Sequence, residues 1–527
     1  MAETVLFCNC RVLASPDAQW RSGAILVREG RVAALGETAE LRALAGPKAR
    51  KIDLRGAYLY PGFHDCHCHL LQYGRTLRQV DLRSVRSFAE VVELCRKRAE
   101  ELGPGRWVLG RGYDDERWGD SFPGHRPLSQ ATPQNPVLLT RTDGHAAIAN
   151  AAALALAGIT RHTPDPPDGR IQRMANGEPS GVLLDSAKWL VERHVPQDDR
   201  ATLLSDLRAA LARLVALGLT CVHDMSCDAQ TRELCTELAQ KGELVLRVQG
   251  YAPAGELDEL EGPGEAVAHG LVRVRGVKLF VDGALGSRGA ALFEPYCDDP
   301  ANCGVLHCSE EELCTRLTIA ASKGLQPAIH AIGDRANHIA LNAIERARSS
   351  GAHVVRPRIE HAQVLRPADL ERLAPLGVIA SMQFRHATSD MLWAEARLGR
   401  ERARLAYAWG AVRRQGVRIA GGSDFPVEPP APVADFYAAI TRQDPSGEPP
   451  QGWFPENRLS RRDALRALTA DAAFAALAEG ELGAIKPQNR ADFTVLDSDL
   501  LAAPAPEILN ACVVATIVGG TVVYSSL

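Results

Sequence analysis

The sequence lacks an apolar run long enough to cross a membrane. Its longest such run lies near residues 146–159 and is interrupted by Asn150, whereas a membrane-spanning helix needs about 20 consecutive apolar residues. The first residues also lack the basic segment, apolar run and small-residue cleavage site of a secretory signal. We therefore expect a cytoplasmic protein with no membrane partner.

The chain carries little net charge. Its 60 basic and 64 acidic side chains leave a formal charge of −4 over 527 residues, which excludes a general basic surface for nucleic acid. Hydrophobic residues make up 46% and charged residues 24%, as in ordinary soluble proteins with a sizeable core. The length accommodates one large domain and a smaller one.

Cysteine spacing typical of a zinc finger is also missing. The 13 cysteines include two pairs with members only two positions apart, Cys8/Cys10 and Cys66/Cys68. Such close neighbours are poor disulfide partners, and an odd number in a large chain fits reduced thiols. Zinc ligation by Cys66 and Cys68 remains an alternative, although no second pair with the required spacing accompanies them.

Both ends of the chain have the pattern of short strands separated by turns. Residues 1–56 and 480–527 carry β-branched runs punctuated by Gly and Asn, with little helical periodicity. We predict that the two ends together form one small composite β-sandwich domain. Two unrelated strand extensions are the alternative.

Between these ends, residues 57–479 alternate between strand-like and helical segments. The predicted strands are 57–65, 219–224, 244–251, 274–282, 325–331, 357–363, 377–383 and 417–424. The predicted helices include 88–102, 200–217, 310–323, 337–349 and 400–415. Eight strands with helices between most of them predict an α/β fold, the (β/α)8 TIM barrel. An open nucleotide-binding sheet is less favoured, because no Gly-rich phosphate turn follows the first strand.

Residues 103–195 interrupt this alternation and are rich in Gly, Pro and Asp. We predict a large insertion after the first barrel strand, folded over the barrel mouth, where insertions usually shape a substrate pocket. A structural embellishment or a subunit contact is the alternative.

Metal-ligand side chains lie at the ends of several predicted strands. They are His67 and His69 after the first strand, His330 after the fifth, His361 after the sixth and Asp424 after the eighth. The C-terminal ends of barrel strands converge on one mouth, and residues two apart on a strand share a face. A single histidine there is more often a hydrogen-bonding residue, but the set predicts a metal centre.

Lys278, in the fourth strand, requires separate chemistry. Its ammonium group, with an ordinary pKa of about 10.4, repels a divalent cation. Reaction of the amine with CO₂ would give a carbamate whose oxygens can bridge two metals. A buried ion pair with Asp282 is the alternative.

The sequence as a whole resembles the amidohydrolase superfamily. The stretch PGFHDCHCHL is similar to its PGFxDxHxH signature, and the remainder resembles amidohydrolase family 3, the YtcJ-like branch that includes N-substituted formamide deformylases. The supporting stretches are 141–150, 177–185, 219–225, 277–290, 329–337, 358–365, 381–391 and 421–432. Phe384 departs from the branch pattern, which commonly has proline there, and this change alters the expected pocket wall.

The resemblance implies a ligand set for one or two divalent ions, with zinc as the expected metal. His67, His69 and Asp424 would hold one ion, His330 and His361 a second, and carboxylated Lys278 would bridge them. Asp424 would be the general base, and His145 or His386 would donate to the developing oxyanion. The branch pattern also implies further pocket residues: Asp143, Gly144, Gln383 and Asp390.

We therefore expect a metal-dependent hydrolase that cleaves a non-peptide C–N bond in a small amide-type substrate with activated water. The candidate bonds are those of amides, formamides and cyclic amides. A homodimer is expected by analogy with relatives. The alternatives are isomerisation or C–O or C–C cleavage by the same metal barrel, or a non-catalytic scaffold.

Overall fold

The computed structural model describes residues 4–115, 118, 124–141, 144, 146–167, 169–264, 267 and 270–527. The chain divides into two compact units, one of Met1–Leu70 with Leu207–Leu527 and one of Leu71–Asp206. Among the described residues, no helix has both the length and the apolarity needed to traverse a lipid bilayer.

The strands, numbered in chain order, are β1 (Thr4–Val12), β2 (Arg21–Arg28), β3 (Arg31–Gly36), β4 (Arg50–Asp53), β5 (Tyr58–Pro61), β6 (Phe63–Cys68), β7 (Val80–Asp81), β8 (Val108–Tyr113), β9 (Val137–Arg141), β10 (Ala146–Ala149), β11 (Gly169–Arg173), β12 (Pro179–Asp185), β13 (Leu219–Asp224), β14 (Arg247–Pro253), β15 (Val272–Phe280), β16 (Gln326–Ala331), β17 (Arg358–His361), β18 (Ile379–Gln383), β19 (Ile419–Gly422), β20 (Phe493–Leu496), β21 (Val513–Val518) and β22 (Thr521–Ser525).

The helices are α1 (Thr38–Ala45), α2 (Leu70–Leu77), α3 (Phe88–Leu102), α4 (Arg126–Ala131), α5 (Ala151–Leu156), α6 (Trp189–Glu192), α7 (Arg200–Ala216), α8 (Ala229–Gln240), α9 (Glu310–Ser322), α10 (Asp334–Ser349), α11 (Pro367–Leu370), α12 (Phe384–Asp390), α13 (Ala394–Ala403), α14 (Trp409–Arg414), α15 (Pro432–Thr441), α16 (Arg461–Ala467), α17 (Ala470–Ala475) and α18 (Ala505–Ile508).

Eight parallel strands form a nearly closed barrel in the first unit, which confirms the predicted TIM-barrel class. Their order is β6-β13-β14-β15-β16-β17-β18-β19, and every neighbouring pair is parallel. Backbone contacts just beyond the ends of β6 and β19 join the last strand to the first. The N–H of Asp424 donates to the carbonyl of His67 at 2.8 Å, and that of His69 to the carbonyl of Phe425 at 2.9 Å.

The predicted strand 57–65 is wrong in one respect, because it is two strands. β5 (Tyr58–Pro61) belongs to the terminal sheet and β6 (Phe63–Cys68) to the barrel. Gly62 separates them, and a Cβ there would lie 2.2 Å from the Thr220 hydroxyl of β13. The chain therefore passes so close to its neighbour that only glycine fits.

The predicted helix 400–415 is also two helices, α13 (Ala394–Ala403) and α14 (Trp409–Arg414). Between them Tyr407 has a φ of 52°, and its N–H donates to the carbonyl of Gln363 at 2.6 Å. A left-handed residue whose N–H is bonded outside the helix cannot continue the helical ladder.

Strands from both ends of the chain form one hydrogen-bonded sheet, in the order β22-β21-β20-β5-β1-β2-β3, with β4 paired to β1. Alternate residues of β1 enter different apolar clusters. Val5 and Phe7 belong to one cluster, and Leu6 and Cys8 to the other. Apolar side chains therefore cover both faces of this sheet.

The second unit, Leu71–Asp206, has its own six-stranded sheet in the order β11-β12-β10-β9-β8-β7. The predicted insertion at 103–195 falls inside it. Val137 and Leu139 pack in one apolar cluster, whereas Leu138 packs in another. Asn150, which interrupts the longest apolar run of the sequence, caps α5 by accepting from the N–H of Ala153 at 3.0 Å.

We expect Gly276→Ala to destabilise the barrel. A Cβ at this position in β15 would lie 1.8 Å from the Gln326 carbonyl of β16, so the two strands would have to separate. Overpacking of this kind costs roughly 1–3 kcal/mol, measurable by chemical denaturation. The matched control is Gly255→Ala, which meets nothing within 4 Å. Equal stability of the two variants would contradict this account of strand packing.

Candidate metal centre

The five predicted metal ligands meet at the C-terminal end of the barrel strands. Donor atoms of His67, His361 and Asp424 all lie within 4.8 Å of one another. His69 Nε2 lies 3.2 Å from Asp424 Oδ1. The His330 ring centroid is 4.5 Å from that of His361. Closure of the barrel thus places residues from β6, β16, β17 and the loop after β19 around one point.

Lys278 faces the same centre. Its Nζ lies 3.3 Å from His67 Nε2, and the residue is 1% exposed. Among the described contacts Lys278 has no ion pair with Asp282, the alternative partner. The Asp282 carboxylate instead accepts three backbone N–H groups, from Ala291, Ile332 and Gly333. These bonds hold the loop after β15 against the end of β16.

The donor set fits a divalent cation. Three buried histidine nitrogens around the centre have no hydrogen-bond partner within the described part of the chain: His330 Nε2, His361 Nδ1 and His386 Nε2. Buried nitrogen and oxygen atoms are normally bonded, so unpartnered nitrogens on neighbouring side chains indicate an absent partner. Imidazole nitrogens combined with a carboxylate oxygen are a usual ligand set for zinc and similar metals.

The electrostatics keep these histidines in the form that ligates. Burial, together with the charge of Lys278, lowers the pKa of His67 to about 4 and that of His330 to about 3. Burial also lowers the pKa of His361 well below its usual value. Burial alone would raise the pKa of Asp424, but the adjoining His67 and His69 outweigh it and hold this pKa well below the usual range. Neutral imidazoles and an ionised carboxylate result.

Asp65, within the first motif, ties the two sides of the centre together. Its carboxylate accepts from the Ser423 hydroxyl at 2.6 Å and from the Ser423 N–H at 3.1 Å. It also accepts from the N–H of His67 at 3.1 Å. The motif aspartate therefore fixes the strand carrying His67 to the loop carrying Asp424.

A buried carboxylate behind His67 sets the orientation of that ring. Glu360 Oε2 lies 2.8 Å from His67 Nδ1, so Nδ1 carries the proton and Nε2 faces the centre with its lone pair. Arg358 donates two bonds to Glu360, Nε to Oε1 at 2.8 Å and Nη2 to Oε2 at 3.2 Å. All three side chains are at most 1% exposed. Sequence reasoning missed Glu360 and Arg358, although two charged residues in a short buried strand were a signal.

A second cluster lies deeper in the barrel, where donor atoms of His64, Cys221 and His223 come within 4.8 Å of one another. Arg358 Nη1 lies 3.0 Å from His223 Nδ1, and arginine can only donate. His223 therefore carries its proton on Nε2, which lies 3.4 Å from His64 Nδ1. A protonated nitrogen offers no lone pair, so this cluster is a hydrogen-bonded pair rather than a metal site.

The cysteines follow the expectation of reduced thiols. All 13, each within the described residues, are unpaired. Cys66 and Cys68 are fully buried and belong to neither ligand cluster of the described chain. Burial raises the pKa of each thiol well above its usual value, which disfavours the thiolate that zinc binds.

Among the predicted pocket residues that the structure describes, His386 lies beside the ligand histidine His361. Its ring stacks on that of His361 at a centroid distance of 6.2 Å and an interplanar angle of 10°. Asp390 lies on the same helix, accepts from the Tyr407 hydroxyl at 2.5 Å, and has a pKa raised to about 6 by burial. Gln383 ends β18 and donates to the Ser381 carbonyl at 3.3 Å. Gly144 is described in the second unit, whereas Asp143 and His145 lie outside the described residues.

Two of the ligand positions have unusual backbone conformations. His361 has a φ of 74° and Asp424 a φ of 60°, in the left-handed region that non-glycine residues rarely adopt. Each such conformation costs on the order of 1–3 kcal/mol. Contacts in the surrounding barrel offset this cost, and the two conformations direct both side chains to the centre.

We expect Glu360→Gln to weaken binding of a divalent cation about 10–100-fold, the usual effect of removing a carboxylate that orients a ligating histidine. The readout is the dissociation constant for Zn²⁺, measured by competition with a chelator, which does not depend on turnover. Glu371→Gln, an exposed change on the barrel exterior, is the control. Metal affinity unchanged in Glu360→Gln but with reduced thermal stability would assign the residue to folding alone.

The sequence profile of the Amidohydrolase family matches residues 50–524. Protein LONG AFTER FAR-RED 3 of Arabidopsis thaliana is 34% identical over 99% of this chain and 91% of its own length. YtcJ of Bacillus subtilis is 33% identical over 96% of each chain. The N-substituted formamide deformylase of Arthrobacter pascens is 29% identical over 95% of this chain and 94% of its own.

Among solved structures, an uncharacterized metal-dependent hydrolase from Pyrococcus furiosus superposes with a TM-score of 0.78 at 31% identity, covering 94% of this chain and all of that one. The family match agrees with the ligand geometry, since membership of this family implies the use of a divalent metal. The chain belongs to the Amidohydrolase family and is a hydrolase that uses a divalent metal.

Proposed function

We propose that this hydrolase cleaves the C–N bond of a small non-peptide amide, with N-substituted formamides and cyclic amides as the first candidates. The observation that carries the proposal is the Asp424 carboxylate, 3.2 Å from His69 Nε2 and 3.6 Å from His67 Nε2. It lies in a centre where buried histidine nitrogens lack hydrogen-bond partners among the described residues. The similarity to an N-substituted formamide deformylase supports the choice of substrate class.

His67, His69, His330, His361 and Asp424 would hold the metal. When bound, a divalent cation supplies Lewis-acid polarisation of the substrate carbonyl and makes a water more acidic at neutral pH. The barrel supplies the neutral imidazoles that such a site needs, because burial lowers the pKa values of His67 and His361.

Asp424 would act as the proton carrier. Its low pKa keeps it ionised at neutral pH, so it can accept the proton of the attacking water. The same carboxyl group would then deliver that proton to the leaving nitrogen, which departs as an amine. Its left-handed backbone and the N–H bond to the His67 carbonyl hold it in place for both steps.

His386 would donate a hydrogen bond to the carbonyl oxygen as negative charge develops there. Its Nε2 is buried without a partner in the described part of the chain, and its ring lies parallel to that of His361. A donor of this kind is worth roughly 2.7–4 kcal/mol elsewhere. The resemblance of the sequence to its family also makes His145 a candidate for this role.

An exposed aromatic side chain borders the centre. The Phe280 ring is 44% exposed, lies 5.2 Å from the His330 ring and 5.2 Å from Lys278 Nζ. An aromatic side chain left exposed beside ligating groups favours a substrate with an apolar or aromatic substituent.

The test is a panel of N-substituted formamides, linear amides and cyclic imides, with matched esters as comparison, assayed for released amine and carboxylate. We expect amine release that disappears on exhaustive chelation and returns with zinc, manganese or cobalt. Asp424→Asn should keep its fold while turnover drops about 10²–10⁴-fold. Cleavage of esters alone, isomerised product, or amine release that survives chelation would each refute the proposal.

We further propose that Lys278 carries a carbamate. The neutral amine attacks CO₂ to form an N–C bond and releases one proton, which leaves a carboxylate-type ligand beside His67. Geometry supports this: Lys278 Nζ is buried 3.3 Å from His67 Nε2 and has no carboxylate within ion-pair distance among the described residues.

We expect the metal-loaded protein equilibrated with ¹³C-labelled CO₂ to give one carbamate resonance by NMR. Lys278→Ala should lose that resonance and part of its bound metal, and short carboxylic acids should restore activity. Lys241→Ala, an exposed lysine paired with Glu237, is the control. A full metal complement in Lys278→Ala without a carbamate signal in the parent would rule the modification out.

A further inference from the structure

A polar cavity opens at the opposite end of the barrel from the metal centre. Its volume is about 210 Å³. Arg247 is the first residue of β14, and Arg273 and Arg275 are the second and fourth of β15, whereas Lys278 lies near the far end of that strand. Because the strands are parallel, these arginines lie at the N-terminal face. We call this space the floor cavity, and it is lined by Arg247, Gln249, Gly270, Arg273, Arg275, 477–478, 480–482 and Arg490.

The lining is strongly positive. Four of its side chains are arginines and a single one, Glu481, is acidic within the described residues. Arg247 is neutralised by a two-point pair with Asp492, whose second bond measures 2.9 Å. Glu481 accepts from Arg490 Nε at 2.8 Å. Arg273 and Arg275 remain without an ion-pair partner among the residues that the structure describes.

Arg275 gives the stronger indication of an anion site, because it is only 8% exposed. Within the described part of the chain its side chain makes one hydrogen bond, from Nε to Gln249 Oε1 at 2.7 Å, and no ion pair. Burial and the nearby charge of Arg273 lower the pKa of Arg275. An arginine remains charged in proteins, so the fold holds a largely desolvated cation with no carboxylate at ion-pair distance among the described residues, which is costly unless a partner binds.

Arg273 adds a second unpaired cation to the same wall. It is half-buried, and it donates no side-chain hydrogen bond to any residue that the structure describes. It stands two residues from Arg275 on one strand, so both guanidinium groups are directed to the same side of the sheet. Two like charges on one small cavity repel each other in the absence of an anion.

The shape and chemistry select the anion. A guanidinium presents parallel N–H donors that match two oxygens of a phosphate or carboxylate group. A cavity of about 210 Å³ accommodates a compact oxyanion with its waters. Two unpaired cations favour a doubly charged ligand over a single carboxylate.

We propose that the floor cavity binds a compact phosphate-type oxyanion through Arg273 and Arg275. The site is separate from the metal centre and does not depend on the proposed reaction. Free phosphate and a small phosphomonoester share the chemistry that these arginines recognise.

The experiment measures binding of inorganic phosphate to the metal-loaded protein by calorimetry and by thermal shift, with ionic strength held constant by chloride. We expect saturable binding that raises Tm and that weakens at least about ten-fold in Arg275→Gln and in Arg273→Gln. Phosphate bound at the metal centre would survive both changes, so undiminished affinity in both variants overturns the proposal.

A stability measurement and two further ligands complete the experiment. In phosphate-free buffer Arg273→Gln should be as stable as the parent or more so, because the change relieves repulsion. A lower Tm there would show a structural role instead. Arg42→Gln, an exposed arginine of α1, is the matched control and should bind phosphate as the parent does. Methyl phosphate binding alongside phosphate indicates that a monoester fits, whereas binding of succinate with no binding of phosphate would eliminate a phosphate-type site.

Discussion

Asp65 joins the first strand of the barrel to the loop that follows the last strand, and the catalytic end of the molecule depends on that junction. Its carboxylate accepts from the Ser423 hydroxyl and N–H and from the N–H of His67. Burial raises its pKa to about 7 in spite of these donors. The role of this buried carboxylate is to fix the backbone, because its bonds place His67 and Asp424 on facing sides of one point.

The barrel interior below this point is polar rather than apolar, and the side chain of Arg358 forms several of its hydrogen bonds. Arg358 is fully buried and donates to Glu360, to His223, to the Tyr251 hydroxyl at 2.9 Å and to the Cys66 carbonyl at 2.6 Å. Every N–H group of the guanidinium therefore has an acceptor, and the buried charge is fully hydrogen-bonded. Burial opposes ionisation of Glu360, but Arg358 and His67 outweigh it and keep the pKa of Glu360 below its usual range. The same carboxylate then fixes the tautomer of His67, which links barrel packing directly to the ligand lone pair.

The two ends of the barrel differ in how their charges are balanced. At the C-terminal end an ionised carboxylate lies among neutral imidazoles, some of which lack a partner among the described residues, an arrangement that a cation completes. At the N-terminal end two arginines face a cavity without acidic partners in the described chain, an arrangement that an anion completes. Between them, Arg358 and its partners form an internally neutral layer.

Much of the architecture was predictable from local pattern. All eight predicted strands overlap a barrel strand, and the strand 219–224 coincides with β13. Apolar runs bounded by turns and helices identify parallel strands because both faces are buried. The pattern failed where a tertiary contact decided the chain path. Gly62 divides one apolar run between two sheets because Thr220 approaches it, and Tyr407 ends a helix by bonding to Gln363.

The sequence by itself determined the ligand types and their order along the chain, since histidines and an aspartate at strand ends point to a metal at a barrel mouth. Only the tertiary structure decided which groups meet. It paired Asp282 with backbone N–H groups rather than with Lys278, placed Glu360 behind His67, and left Arg275 facing a cavity at the other end. The physical reason is that partners such as His67 and Glu360, 293 residues apart in sequence, are brought together by barrel closure and not by any local propensity.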